Sequence, residues 1–443
     1  MSSTVGDLFG GSSRRMRDDV WGDIPVNRAV RALLETKAME RLKGMRQLGF
    51  ASQAFPSARH SRFDHALGVY HLTQTTLKRI TDSGAYLEDR EMQGALAAAL
   101  LLDVGRYPYS EALENIALPA MIGGKELSRR WVEQSEAAKV LRNEWDVEPH
   151  NVFRLITRDD EPPLGLTPTE HLIRDILFGS LDVDALDSLV RDARGAQVPF
   201  GLLKIDSLME HLRLVGQENR ALLSIDEDGA GVLQSLVFSR YLLRYTVYGH
   251  HDLRIPTAMF ARAAQDAIQD ERVSPDKLSE QDDAGAFVLI QDSGRKGDSI
   301  ATLAKRLADR RPYFRALEID ERHKSYVSLM RLRDDSSWRR RVEEAWSRYL
   351  TRYRKGEAGP FDILMDIPKR ERLSVGLRYI RRLPLPGERN LTDWQNLSGM
   401  TDEDMRRHNI PLHRIRVIAA GKDLVTSVRR HAEELLTIAE EVG

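Results

Sequence analysis

His65, Asp103 and Asp184 are the side chains whose types could do chemistry together. Asp103 lies in ALLLDVGRYPYSEALE (99–114), where an apolar, helix-like run ends on a carboxylate. A helix C-terminus carries partial negative charge, so a buried acid there is disfavoured twice. It needs a metal ion, an arginine or strong hydrogen-bond donors. His65 sits in HSRFDHALG, and Asp184 sits in SLDVDALDSLVRD beside Asp182, Asp187, Arg191 and Asp192. One imidazole and two carboxylates from three separate helical segments form a ligand set suited to Mg, Mn or Fe. Taken alone the set is a weak signal, and core polar groups satisfied by protein partners are the more ordinary reading. Spacing alone leaves both readings open.

The elements that must position these residues read as mostly helical. Residues 28–48 place Val30, Leu33, Leu34, Ala38, Met39, Leu42 and Met45 at helical spacing, and 62–80 carry Phe63, Ala66, Leu67 and Tyr70 on one side. Residues 91–102 are Ala/Leu-rich on nearly every side, the pattern of a core helix. Further helices are expected at 129–144, 149–157, 169–178, 184–193, 203–214, 232–247, 257–270, 299–311, 336–354 and 422–441. DILMDI (362–367) and RIRVIAA (414–420) read as extended, and the polar stretch 271–298 reads as a loop or flap. The expected organisation is a loose tail at 1–17, a helical core at 18–355 and a small α+β region at 356–443.

The chain has 443 residues, 42% of them hydrophobic and 30% charged, which suits a globular protein with a sizeable core. Lys plus Arg is 66 and Asp plus Glu is 67, so no global charge pulls the chain toward nucleic acid or anionic lipid. There is no cysteine, which excludes disulfides, thiolate metal sites and a cysteine nucleophile. No apolar run reaches the roughly 18 residues of a membrane span, and the N-terminus has no secretory apolar core, so no membrane partner and a cytoplasmic setting are expected.

Six segments in order carry a resemblance: DDVWGDIPV (18–26), ERLKGMRQLG (40–49), FPSARHSRFDHALGVYHL (55–72), ALLLDVGRYPYSEALE (99–114), SLDVDALDSLVRD (180–192) and SRYLLRYTVYGHH (239–251). Together they resemble the HD-domain phosphohydrolases, and within them the deoxynucleotide triphosphohydrolases. The resemblance runs from about residue 18 to 355. It implies a mainly α fold with an HD-domain helical core, a mixed C-terminal region, and assembly into homo-oligomers. It also implies metal ligands at His65, Asp103 and Asp184. Arg62 and Arg240 match positions that hold phosphate oxygens, Tyr248 a position near the sugar or base, Gln47 and Leu48 a loop that meets deoxyribose, and Asp192 a sugar contact.

The departures matter as much. Where the family has the histidine of its His-Asp pair, this chain has Leu102, and Arg106 and Glu111 stand at two further histidine positions. Ala185 and Ser188 replace a Lys-like phosphate contact and a Tyr under the sugar, and Val132-Glu133 falls where the family has a His-Glu pair. The family reaction is metal-assisted attack of water on the α-phosphorus with release of triphosphate. Leucine cannot coordinate, so the metal set falls from four protein ligands to three. Glu111 could donate a proton only if its pKa were raised. Arg106, one turn after Asp103, could neutralise Asp103 and Asp184 in place of a cation. The expected function is therefore binding of a nucleoside triphosphate or similar phosphate ligand, with an incomplete metal site and a regulatory or scaffolding role. One alternative is an active metal-dependent phosphohydrolase using Mg, Mn or Fe.

Another alternative, nucleic-acid binding, comes from residues 304–357, which hold 16 Lys/Arg against 9 Asp/Glu with Trp338, Trp346, Tyr349 and Tyr353 interleaved. The competing reading of that strip is a solvated helix face with aromatic packing behind it. His60, His71, His171, His250 and His251 are further candidate ligands or ordinary surface and core histidines.

Overall fold

The structure is a computed structural model and describes residues 14–158, 162–179, 181–217, 220–353, 358–369, 378–381 and 391–442. The fold is mainly α with small sheets. Of the expected tail, residues 1–13 lie outside the described residues, as do Ser180 and residues 354–357 of the basic strip. Residues 14–17 belong to an antiparallel hairpin, β1 (Arg14–Asp18) and β2 (Gly22–Val26), joined by a tight turn.

The core is built around two helices. α1 (Arg62–Asp82) starts with a capping box in which Ser61 and Asp64 satisfy each other's backbone N–H groups. That start puts Arg62, His65 and Gly68 on one face. α2 (Asp89–Leu101) is buried at every position from Met92 to Leu101, as its all-round apolar pattern requires. α3 (Val183–Ala196), N-capped by Asp182, packs beside α1 and presents Asp184, Asp187 and Arg191. α4 (Ala230–Leu243) runs into a π-helical turn, Arg244–Tyr248, and then α5 (His251–Gln269).

A three-stranded sheet joins β3 (Phe314–Ile319), β5 (Ile415–Ala419) in the centre and β4 (Ile363–Asp366), with both outer strands antiparallel to β5. This sheet straddles residue 355. It packs on α6 (Ser336–Thr351), whose Trp346 is buried and donates to the Leu435 carbonyl at 2.6 Å. A second, four-stranded sheet joins Leu212–Gln217, Arg220–Asp226, Arg378–Ile380 and Leu391–Asp393.

Several local expectations differ from the structure: 28–48 holds two helices, Arg28–Leu34 and Lys37–Lys43, and 129–144 is divided between helices Gly124–Glu133 and Glu136–Glu144. The helix expected at 203–214 stops at Glu210, and the chain turns into a strand from Leu212. The stretch 271–298 holds helices Pro275–Ser279 and Asp283–Ser293, because Ser274 and Asp282 act as N-caps. Its polar residues are helix starts. The helix expected at 422–441 is two, Lys422–Arg430 and Ala432–Glu441, broken at His431. Among the described residues no helix is long and apolar enough to cross a membrane.

Candidate functional site

Asp103 lies two residues beyond α2, in a tight turn closed by the Arg106 N–H on the Asp103 carbonyl at 3.0 Å. Arg41 serves the carbonyls at this helix end, donating to Val104 at 2.6 Å and to Arg106 at 3.0 Å. Gly105 fits there because a Cβ would stand 2.7 Å from the Gly124 carbonyl and the Ser128 nitrogen.

His65, Asp103 and Asp184 converge. His65 Nε2 is 2.8 Å from Asp184 Oδ1 and 4.0 Å from Asp103 Oδ2, and His65 Nδ1 is 2.7 Å from Asp187 Oδ2. Asp187 is fully buried and also receives Trp21 Nε1 at 2.5 Å and Arg191, which in turn pairs with Asp18 at 2.9 Å. The turn of the N-terminal hairpin thereby fixes the carboxylate that orients the imidazole.

Every carboxylate oxygen of Asp103 and Asp184 has a cationic partner. Arg62 Nη1 donates to Asp103 Oδ2 at 2.5 Å, and Arg106 Nε donates to Asp103 Oδ1 at 3.2 Å. Arg158 Nη2 donates to Asp184 Oδ2 at 2.6 Å, and His65 faces Asp184 Oδ1. Burial works against ionisation of Asp103, but Arg62, then Arg106 and His65, hold its pKa far below the usual carboxylate range. Burial likewise opposes the charge on Asp184, which Arg158 and His65 bring down to about 2. Burial alone would lower the pKa of His65, yet hydrogen bonds to Asp184 and Asp187 push it up to about 10. As an imidazolium the ring donates to Asp187 from Nδ1 and to Asp184 from Nε2.

This donor set does not fit a metal ion as it stands. Three guanidinium contacts and an imidazole occupy the atoms that would coordinate. Among the described residues no group of three or more His, Asp or Glu is arranged to hold a metal ion.

A cavity of about 410 Å³ opens beside this cluster. That is within the range of small-ligand sites. Gln47, Leu48, Arg62, Arg106, Glu111, Asp192 and Tyr248, all named from the sequence, lie along its wall. The π-helical turn places Tyr248, whose hydroxyl donates to Asp192 Oδ2 at 2.5 Å, while His60 Nε2 lies 2.7 Å from Asp192 Oδ1. Arg240 is not part of the wall, and its Nε and Nη2 are buried without a hydrogen-bond partner. Sequence reasoning missed Arg244, Arg254, Lys369 and Arg416 in the wall, and Arg158 on Asp184. Arg416 did carry a signal, an arginine inside the apolar run RIRVIAA. Arg158 and Arg254 sit in stretches with no such contrast. In the basic strip, Arg339 donates to Gln265 at 2.9 Å and Arg340 pairs with Asp266 and Glu344 at 3.5 Å.

A family profile described as the HD associated region matches residues 205–378. The chain is 27% identical over 301 residues to a deoxynucleoside triphosphate triphosphohydrolase SAMHD1 homolog of Dictyostelium discoideum, across 64% of this chain and 54% of that protein. It is 28% identical over 238 residues to the uncharacterized protein YwfO of Bacillus subtilis, across 53% of this chain and 52% of that one. The chain thus spans about half the length of these sequence relatives. A phosphohydrolase from Bacteroides thetaiotaomicron shares the fold with a TM-score of 0.68 and 18% identity, over 93% of this chain and 100% of that chain. A hypothetical protein from Aquifex aeolicus does so with a TM-score of 0.69 and 21% identity, over 95% and 100%.

Proposed function

We propose, on the premise of the HD-domain phosphohydrolase superfamily that the profile match, the relatives and the fold support, that this chain binds a nucleoside triphosphate or similar phosphate ligand with arginines where the family carries its metal. One observation carries this reading: all four carboxylate oxygens of Asp103 and Asp184 are engaged by Arg62, Arg106, Arg158 and His65. A guanidinium beside each acid supplies the positive charge that would otherwise come from a bound cation. The cavity beside them keeps the features that suit a phosphate ligand. Arg62, Arg106, Arg244, Arg254, Lys369 and Arg416 contribute cations to its wall, and Gln47, Asp192 and Tyr248 supply polar groups. The function is then binding, in a regulatory or scaffolding role.

The second reading, a metal-dependent phosphohydrolase, draws support from the convergence of His65, Asp103 and Asp184 within 4.0 Å. Metal analysis of the purified protein, with a triphosphate-release assay on the four dNTPs in Mg or Mn, separates the two. The expected outcome is substoichiometric metal, no turnover and measurable dNTP binding. Stoichiometric metal with turnover abolished by Asp103→Ala would overturn the binding-only reading.

A further inference from the structure

We infer that Glu111 occupies a phosphate position on Arg254, and that a phosphate-bearing ligand enters the cavity by displacing it. The inference rests on the cavity being a phosphate site, as proposed above.

Arg254 is buried, its side chain 7% exposed, and two of its nitrogens are committed: Nε and Nη2 donate to Asp366 at 3.1 and 2.5 Å. Asp366 is itself held by Arg416 Nη1 at 3.2 Å, and Arg416 Nη2 donates to the Gly249 carbonyl at 2.6 Å. The guanidinium of Arg254 is therefore fixed in place by the C-terminal sheet, and both Arg254 and Glu111 line the cavity. Nη1 donates to Glu111 Oε1 at 2.6 Å. Glu111 is the loose partner, since its side chain is 60% exposed. Releasing it returns a carboxylate to water and leaves a pre-oriented donor, which a phosphate oxygen can take as a charge-assisted hydrogen bond.

The neighbouring acid repeats the arrangement. Glu114 Oε2 accepts from Arg106 Nη1 at 2.5 Å. Both acids come from one short helical segment, Ser110–Leu113 and its C-cap, which lines the same cavity. The segment shields two cationic groups of the wall with its own carboxylates. A ligand carrying several phosphates matches what those carboxylates cover better than a monoanion does.

Calorimetric titration of the full chain with inorganic triphosphate, and separately with dGTP, tests this. If Glu111 covers Arg254 about nine-tenths of the time, Glu111→Gln and Glu111→Ala each bind about tenfold more tightly than the wild type. A gain with dGTP alone, or with both probes, supports the inference; the first also assigns the site to a nucleotide. Asp252→Asn removes an exposed negative charge two residues before Arg254 and is expected to change affinity less than about twofold. An equal gain from Asp252→Asn would overturn the inference by tracing the effect to bulk charge. Equal affinity of wild type and both Glu111 variants would overturn it while leaving the proposed function standing. No binding of either probe by any variant would overturn both.

Discussion

Replacing Asp103 by Asn tests whether the acid is an ion-pair partner or a vacant ligand, because the two roles give stability changes of opposite sign. Arg62 and Asp103 meet at 2.5 Å with side chains 9% and 4% exposed. Breaking a buried pair while leaving one charge behind costs about 3–5 kcal/mol. The second partner, Arg106, is one-third exposed and keeps Glu114, so its share is at most about 1 kcal/mol and is not added. Asn retains one carbonyl acceptor for Arg62, which recovers about 1 kcal/mol. The net expectation is a loss of about 2–4 kcal/mol. A site built of clustered acids awaiting a cation behaves otherwise: removing one charge relieves repulsion, so the chelated protein keeps or gains stability. The assay is urea unfolding with EDTA at pH 7. Asp103 has its pKa held below the usual range, so its contribution is complete above about pH 4 and fades as pH falls below that. A variant as stable as the wild type, or a wild type that loses stability on chelation alone, would refute the reasoning.

Two further predictions concern the frame of the site. Gly68 faces Asp187 so closely that an added Cβ would overlap its carboxylate and stand 2.6 Å from Arg191 Nη2. Gly68→Ala is expected to destabilise by about 1–3 kcal/mol and to shift the His65 ring resonances in an NMR spectrum; unchanged resonances would count against the packing described. Asp283 accepts the N–H groups of Arg46 and Tyr109 at 2.8 and 2.7 Å, and burial raises its pKa to about 6. A raised carboxylate pKa means the folded state binds the proton more tightly, so this contribution grows as pH falls from 7 toward 4. The stability gap between wild type and Asp283→Ala should widen by about 1.4 kcal/mol from pH 7 to pH 5, and a constant gap would contradict the burial argument.

The helical core was legible because its signals are local. The all-round apolar pattern of 91–102 marks a helix that is buried from Met92 to Leu101. Of the site residues carried by quoted motifs, Gln47, Leu48, Arg62, Arg106, Glu111, Asp192 and Tyr248 lie along one cavity wall, while His65, Asp103, Asp184 and Arg240 do not line it. Other features depend on tertiary context. Arg158 lies two residues past the helix Pro149–Ile156 with nothing in its neighbours to mark it, and reaches Asp184 only because the chain returns 26 residues later. Arg254 acquires its orientation from Asp366, 112 residues away. Residues 14–17 of the hairpin read as loose tail, and nothing local in DDVWGDIPV shows that Trp21 and Asp18 find Asp187 and Arg191.

That last contact has a consequence for how the molecule is made. The indole is 166 positions from the acid it pins, and the acid is 122 positions from the ring it aligns. Closing such long loops is entropically slow and waits on the intervening helices. During synthesis the imidazole of residue 65 has no fixed bearing until the ribosome has delivered almost half of the polypeptide, Asp187 included.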